Sequence, residues 1–168
     1  MQEIVKGCAW VFGNDINSES IMPSGIDHDP HVAAKMCLEF YDPDFAPNAK
    51  PGDFVIAGTN FGNSSSRPAA NTFLAMGISA AICESSSVIF FRNSWNLGFP
   101  VFHCKGITNM VKKGDEIEVN LVTGYIKNLT TGEDTQAEKP IDTLVDRWRS
   151  GGMFSWLRER KDQIDGLE

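Results

Sequence analysis

The middle of the chain alternates short apolar runs with amphipathic stretches, and this alternation restricts the fold more strongly than any other feature of the sequence. Three runs have the length of buried strands, and two stretches with helical spacing separate them. The runs are residues 54–57, 80–83 and 101–104, and the helical stretches are residues 69–76 and 87–97. Strands that alternate with helices favour an α/β layer with parallel pairing.

The segments on either side of this core carry patterns of their own. Strict alternation around Gly124 predicts an antiparallel hairpin over residues 116–129. Because no linker, repeat or low-complexity tract divides the chain, we expect residues 1–168 to form one domain. The remaining predicted segments are a strand at 4–12, an exposed loop at 21–30, a helix at 31–40, an irregular stretch at 42–51, and helices at 141–149 and 153–161.

Composition restricts the partners and the compartment. The net charge of −7 argues against nucleic acid and anionic membrane, because both attract basic patches. No run approaches the roughly twenty apolar residues of a membrane span, and the first residues lack the basic and apolar regions of a signal peptide. We therefore expect a soluble, cytoplasmic protein.

The four cysteines are scattered and show neither metal-site nor iron–sulphur spacing. Three of them, Cys8, Cys83 and Cys104, lie in apolar, strand-like runs. Cysteine is among the residue types most often buried, so we expect reduced thiols in a core and a reducing compartment. His28 and His31 have ligand-like spacing, but Pro30 lies between them and no thiol is near, so no metal site is predicted.

The turn at residues 60–67 is the most informative segment for function. It reads Asn-Phe-Gly-Asn-Ser-Ser-Ser-Arg, follows a predicted strand and precedes a predicted helix, whose first position would suit Pro68. Three hydroxyls and one guanidinium are thereby gathered where free amides and the helix dipole favour an anion. Arginine adds a planar fork that matches a carboxylate. The turn therefore indicates a site for a small acid beside a serine.

Several ordered motifs together resemble the small subunits of the isopropylmalate dehydratase and homoaconitase group, which are similar to the swivelling domain of aconitase. The similarity spans roughly residues 4–158. Residues 13–23 resemble the loop G-D-N-I-D-T-D-x-I-x-P of that group, and residues 60–67 resemble its turn N-F-G-x-G-S-S-R. The other matching segments are residues 77–82, 89–93, 96–100, 114–115 and 151–152.

The resemblance implies a fold, a reaction and a partner. The fold would be a single swivelling β/β/α domain with a short mixed or parallel sheet. The reaction would dehydrate and rehydrate a 2-hydroxy di- or tricarboxylic acid, with 3-isopropylmalate as the default. A large subunit would carry a 4Fe-4S cluster that binds the substrate as a Lewis acid, and this chain would bind none.

Site residues follow from the same resemblance. Ser65 matches the serine that removes the proton next to a carboxylate, and Arg67 matches the arginine that holds a substrate carboxylate. Ser64 and Ser66 have two readings: a structural role through backbone amides or caps, and substrate binding through the backbone amide of either residue. His28 lies about where homoaconitases place an arginine for a distal carboxylate, so it would face a polar substrate arm. Homocitrate, citrate and methyl-substituted malates are therefore alternatives to 3-isopropylmalate.

The chain also departs from the pattern of that group. Ser64 replaces a glycine, Pro68 and Ala69 replace an acidic residue and a histidine, and Val88 replaces an arginine. Two other readings stay open. In the first, Ser65 is only a helix cap and Arg67 only a surface residue. In the second, the chain is a divergent, non-catalytic swivel domain that acts as a carboxylate-binding or regulatory module. An isolated homo-oligomer without a large subunit would favour the second.

Overall fold

The computed structural model describes residues 2–23, 25, 29–64 and 67–161. Its centre is a seven-stranded mixed sheet with the strand order β4-β3-β2-β1-β5-β6-β7. Strands β1 to β4 pair in parallel, and β5 to β7 add antiparallel strands beside β1. The strands are β1 (Ile4–Val11), β2 (Phe54–Ala57), β3 (Ala80–Cys83), β4 (Val101–His103), β5 (Glu116–Asn120), β6 (Tyr125–Asn128) and β7 (Asp134–Gln136).

The parallel strands are apolar throughout because both of their faces are covered. In β2, Phe54 and Ile56 join one core cluster, while Val55 and Ala57 join the cluster on the opposite face. All four residues of β2 and all four of β3 are buried. The antiparallel strands β5 and β6 instead alternate between buried and more exposed residues, since only one of their faces packs on the core.

Within the described parts of the chain, eight helices cover the sheet and fill the connections. Helix α2 packs against α4, and α5 packs against α7 and α8. No helix in the described parts of the chain has the length and apolar character needed to cross a membrane. The helices are α1 (Ser18–Ile21), α2 (Pro30–Ala34), α3 (Phe45–Asn48), α4 (Ala70–Met76), α5 (Val88–Leu97), α6 (Ile107–Met110), α7 (Asp142–Arg149) and α8 (Met153–Glu159).

The predicted alternation of parallel strands and helices is confirmed, and so is the hairpin at residues 116–129. Helix α4 ends at Gly77, whose φ of 75° closes the helix in the left-handed conformation. Strand β7 was not predicted, because three residues carry too short a pattern to be recognised.

Two predictions before β2 are wrong. The predicted exposed loop at 21–30 begins with two fully buried residues, Ile21 and Met22, of which Ile21 ends α1. Residues 24 and 26–28 of this loop lie outside the described residues. The predicted helix at 31–40 ends at Ala34. Leu38 takes a positive φ of 56° and becomes buried, whereas Phe40 is 90% exposed. The chain turns there to bury Leu38, so its apolar spacing is not that of one continuous helix.

Two smaller differences concern irregular segments. Helix α4 begins at Ala70, so Pro68 precedes it instead of occupying its first position. The stretch at 42–51, predicted to be irregular, contains the single turn α3. Of the cysteines expected in the core, Cys83 and Cys104 are buried, but Cys8 is only half-buried.

Candidate functional site

The predicted site lies where the parallel strands end, because parallel strands bring their carboxyl ends to one edge of a sheet. The loops that follow β1, β2 and β3 are bound to one another along this edge. Asn14 Oδ1 accepts a hydrogen bond from the Thr59 amide at 2.8 Å. The Phe61 amide donates to the Ser85 carbonyl at 3.0 Å. Polar side chains and backbone groups therefore hold three separate loops together as one surface.

Asn60 shapes the start of the turn at 60–67. Its φ is 57°, a conformation that asparagine tolerates better than most residues. Its side-chain amide donates to Asp15 Oδ1 at 2.8 Å, and its backbone amide donates to Ser85 Oγ at 3.0 Å. Asn60 therefore links the loops after β1 and β3, which agrees with a structural rather than a ligand-binding role.

Gly62 is required by its surroundings. It has a φ of 69°, and a Cβ atom at this position would lie 2.2 Å from Phe90 Cγ. Its carbonyl accepts a hydrogen bond from Ser87 Oγ at 2.7 Å. The turn thus passes so close to the start of α5 that only glycine fits.

Ser64 is exposed and also has a positive φ, of 59°. Serine is strained in this region, where glycine is not. Its carbonyl accepts a 2.7 Å hydrogen bond from Ser18 Oγ, and Ser18 is fully buried. The geometry at this position is one that glycine adopts readily, so the serine found here constrains the turn, as expected from the departure noted above.

Arg67 presents its guanidinium at the same edge. Its side chain is 19% exposed. Arg67 Nη2 lies 3.6 Å from Glu19 Oε1, and Nη1 donates to the Pro23 carbonyl at 3.4 Å. The helix that follows has Ala69 at its N-cap, and no side chain caps it. Among the described residues, these two contacts leave several of the five N–H donors of the guanidinium unused. The cap role considered for Ser65 stays untested, because Ser65 lies outside the described residues.

Three predicted site residues, Ser65, Ser66 and His28, lie outside the described residues. Their roles stay predictions. The described neighbours of the two serines, Ser64 and Arg67, are both at the carboxyl edge.

The described residues offer no metal centre, since no group of three or more histidine, cysteine, aspartate or glutamate side chains among them is arranged to hold an ion. Burial raises the pKa of the Cys83 thiol to about 12, which keeps it protonated and unreactive at neutral pH. His103, on β4, contacts Ser86 Oγ through Nε2 at 2.8 Å. It is a histidine with a satisfied ring, as expected for a residue in an apolar strand.

Two residues of this edge were missed at the level of sequence: Ser18 and Glu19, which contact the turn and Arg67 respectively. A signal for them existed. Both lie in α1, which is part of the connection that follows β1, and the connections at the carboxyl ends of parallel strands lie along one edge of the sheet. This signal does not show which of the connections contact each other.

Known proteins resemble this chain over nearly its whole length. Residues 14–101 match the aconitase C-terminal domain. The isopropylmalate/citramalate isomerase small subunit of Methanocaldococcus jannaschii is 42% identical, over 95% of this chain and 97% of its own. The 3-isopropylmalate dehydratase small subunit 1 of Methanopyrus kandleri is 38% identical, over 94% and 95%.

A solved structure agrees with these sequences. The crystal structure of 3-isopropylmalate dehydratase from Methanocaldococcus jannaschii superimposes with a TM-score of 0.88 at 30% identity, covering 98% of this chain and 99% of that one. The chain therefore belongs to the aconitase C-terminal domain family and, within it, to the small subunits of isopropylmalate dehydratase. The resemblance stated from the motifs, the fold and the hydro-lyase class are confirmed.

Proposed function

We propose that this chain supplies one half of an active site that dehydrates and rehydrates a 2-hydroxy dicarboxylic acid. It would act in the cytoplasm as one swivelling domain, residues 1–168, together with a large subunit. The observation that carries the proposal is the half-buried Arg67 side chain at the carboxyl edge, whose guanidinium makes two long contacts of 3.4 and 3.6 Å. A cation in such a position can exchange weak internal contacts for a substrate carboxylate.

Ser65 would be the base. As the alkoxide, its Oγ takes the proton from the carbon next to a carboxylate, hydroxide leaves the neighbouring carbon, and a carbon–carbon double bond forms between the two. A proton from solvent converts the hydroxide to water, and Ser65 returns its proton to solvent before the next cycle. Addition of water in the opposite sense regenerates a hydroxy acid. A serine hydroxyl performs this step only as an alkoxide, which the Arg67 charge and the backbone amides of Ser64 and Ser66 would stabilise.

The 4Fe-4S cluster belongs to the large subunit in this proposal. Cys37, Cys83 and Cys104 are buried in the cores, and the described residues hold no set of ligands for a metal. The cluster would act as a Lewis acid on the substrate hydroxyl and carboxylate. The names of the relatives, which are called small subunits, support the existence of such a partner.

The substrate would be 3-isopropylmalate, with citramalate as the second choice. The names of the relatives refer to these two acids, which share two carboxylates, one hydroxyl and an apolar branch. His28 would face the variable arm of the substrate. If it does, citrate and homocitrate, which carry a third carboxylate, become substrates as well.

A second candidate is a non-catalytic swivel domain that binds a carboxylate. Two departures favour it. Val88, at the position of an arginine in related proteins, is 64% exposed at the start of α5. Ser64 holds a strained conformation beside the proposed base. Neither departure removes Ser65 or Arg67, so we rank this candidate below the enzyme.

An anaerobic assay of the complex with its reconstituted large subunit tests the proposal. Enoate absorbance is followed with 3-isopropylmalate, citramalate, citrate and homocitrate. We expect turnover of at least one acid, and a rise in KM of about 100-fold for Arg67→Lys, because lysine cannot bind a carboxylate bidentately. Arg149→Lys is the matched control, since Arg149 pairs with Glu3 at the surface. No turnover of any acid by a formed complex with an intact cluster would contradict the proposal and favour the binding domain.

A further inference from the structure

The segment at residues 16–23, which lies between β1 and α2, forms hydrogen bonds with the backbone of the turn at residues 60–67. The Gly62 amide donates to the Ile16 carbonyl at 2.8 Å, and the Ser18 amide donates to the Asn63 carbonyl at 2.9 Å. Ser18 Oγ donates to the Ser64 carbonyl at 2.7 Å. Three consecutive residues of the turn are therefore bound to one short segment, and helix α1 is fixed relative to them.

The same segment also holds the Arg67 side chain, at two points. The Pro23 carbonyl accepts from Nη1, and the Glu19 carboxylate lies beside Nη2. Among the described residues, these are the contacts that the guanidinium makes. Because α1 is fixed to the turn, the two contacts set the direction in which the guanidinium points.

We propose that Glu19 is a positioning residue that orients Arg67 toward the carboxylate of the substrate. A free arginine side chain loses roughly 2 kcal/mol of rotamer entropy when it is ordered, and the Glu19 contact lowers this loss in the empty site. A guanidinium has five N–H donors, and the two contacts leave donors for a ligand. This inference rests on the proposed function, because it assigns Arg67 to the substrate.

Glu19 acts through Arg67 and not on the substrate. A carboxylate repels an anionic ligand at close range, so a direct contact with the acid would weaken binding. Glu19 is also 60% exposed, and solvent screens its pair with Arg67. We therefore expect a moderate effect on substrate affinity and little effect on the chemical step.

Steady-state kinetics of the reconstituted complex with Glu19→Gln test this role. We expect KM to rise about fivefold while kcat changes less than about twofold, as the loss of an exposed charged contact implies. Glu19→Asp keeps the carboxylate and should restore part of the affinity. Glu118→Gln is the control, since Glu118 forms a surface ion pair with Lys6 at 3.2 Å on the antiparallel strands; its KM should equal that of the wild type.

A double-mutant cycle separates positioning from other effects. If Glu19 acts through Arg67, Glu19→Gln should leave KM unchanged in a complex that already carries Arg67→Gln, which removes the charge that Glu19 pairs with. An equal rise of KM in both backgrounds, or no rise in the wild-type background, would overturn this inference while leaving the proposed function intact. A wild-type complex without turnover would overturn the proposed function, and this inference with it.

Discussion

Residues of different types hold the positive φ angles in two regions of the molecule, the loops at the carboxyl edge of the parallel strands and the turns between the antiparallel strands. At the carboxyl edge of the parallel strands, Asp15, Asn60 and Ser64 all have φ between 57° and 59°. In the stretch 67–161, which is described throughout and includes the antiparallel strands, every residue with a positive φ is a glycine. The hairpin between β5 and β6 turns at Gly124, and the turn between β6 and β7 contains Gly132.

This difference distinguishes the relaxed turns of the antiparallel strands from the strained loops of the candidate site. Glycine adopts a positive φ without a steric penalty, so the antiparallel turns are relaxed. Residues other than glycine keep such angles only where the surrounding contacts fix their backbone, and strain of this kind is common at binding and catalytic sites. The hydrogen bonds that link Asn60 to Asp15 and to Ser85 supply that constraint here.

The largest expected effect is that of Gly62→Ala. A Cβ atom would overlap the Phe90 ring and adopt an unfavourable φ, so we expect the free energy of unfolding to fall by about 3 to 5 kcal/mol. Gly132→Ala is the matched variant in the antiparallel half, where nothing lies within 4 Å of the added atom. It should lose only about 1 to 2 kcal/mol. Urea unfolding of both variants measures the difference, and equal losses would contradict the comparison.

The next effect is that of Ser18→Ala. The variant removes a hydrogen bond whose donor, Ser18, is fully buried, so we expect a loss of about 1 to 2 kcal/mol. Thr130→Val removes a comparable contact in the antiparallel half, where Thr130 Oγ1 accepts from the Glu116 amide at an exposed position. There water replaces the lost partner, and the loss should stay below about 1 kcal/mol. Thermal unfolding measures the loss of stability of each variant. A larger loss for Thr130→Val would contradict the view that the segment after β1 stabilises the turn at residues 60–67.

The smallest effect is that of Ser64→Gly, and its sign is opposite. Glycine relieves the strain at φ 59° but gains freedom in the unfolded chain, so we expect a net stabilisation of up to about 1 kcal/mol. This corresponds to a rise in Tm of about 2 to 4 °C. Asn120→Gly should instead destabilise, because Asn120 ends a strand and its Oδ1 accepts from two backbone amides. A fall in Tm for Ser64→Gly would contradict the view that strain is stored at this position.

Much of the fold was predictable because the apolar runs have simple periods. The strands at 54–57 and 80–83 and the hairpin around Gly124 follow from apolar runs and alternation alone. The predictions failed where tertiary burial decided the local structure. Leu38 lies in a stretch with helical spacing, yet the chain leaves the helix to bury it.

The candidate site was predictable only in part. The turn and Arg67 became candidates because strand, turn and helix follow one another in the sequence, and their role in binding stays a prediction. Ser18 and Glu19 were missed because their contacts with the turn join residues more than forty positions apart. Pairing of β1 with β2 brings them together, and a single sequence does not reveal which loops meet.

The most direct test of the account is solvent exchange of the substrate proton next to the carboxylate. The reconstituted complex is incubated anaerobically in D2O with 3-isopropylmalate, and deuterium incorporation is measured by mass spectrometry for the wild type, Ser65→Ala and the control Ser155→Ala. If Ser65 is the base, incorporation should fall by about a thousandfold or more for Ser65→Ala, and Ser155→Ala should match the wild type. Incorporation by Ser65→Ala at the wild-type rate would contradict the assignment of the base to this turn.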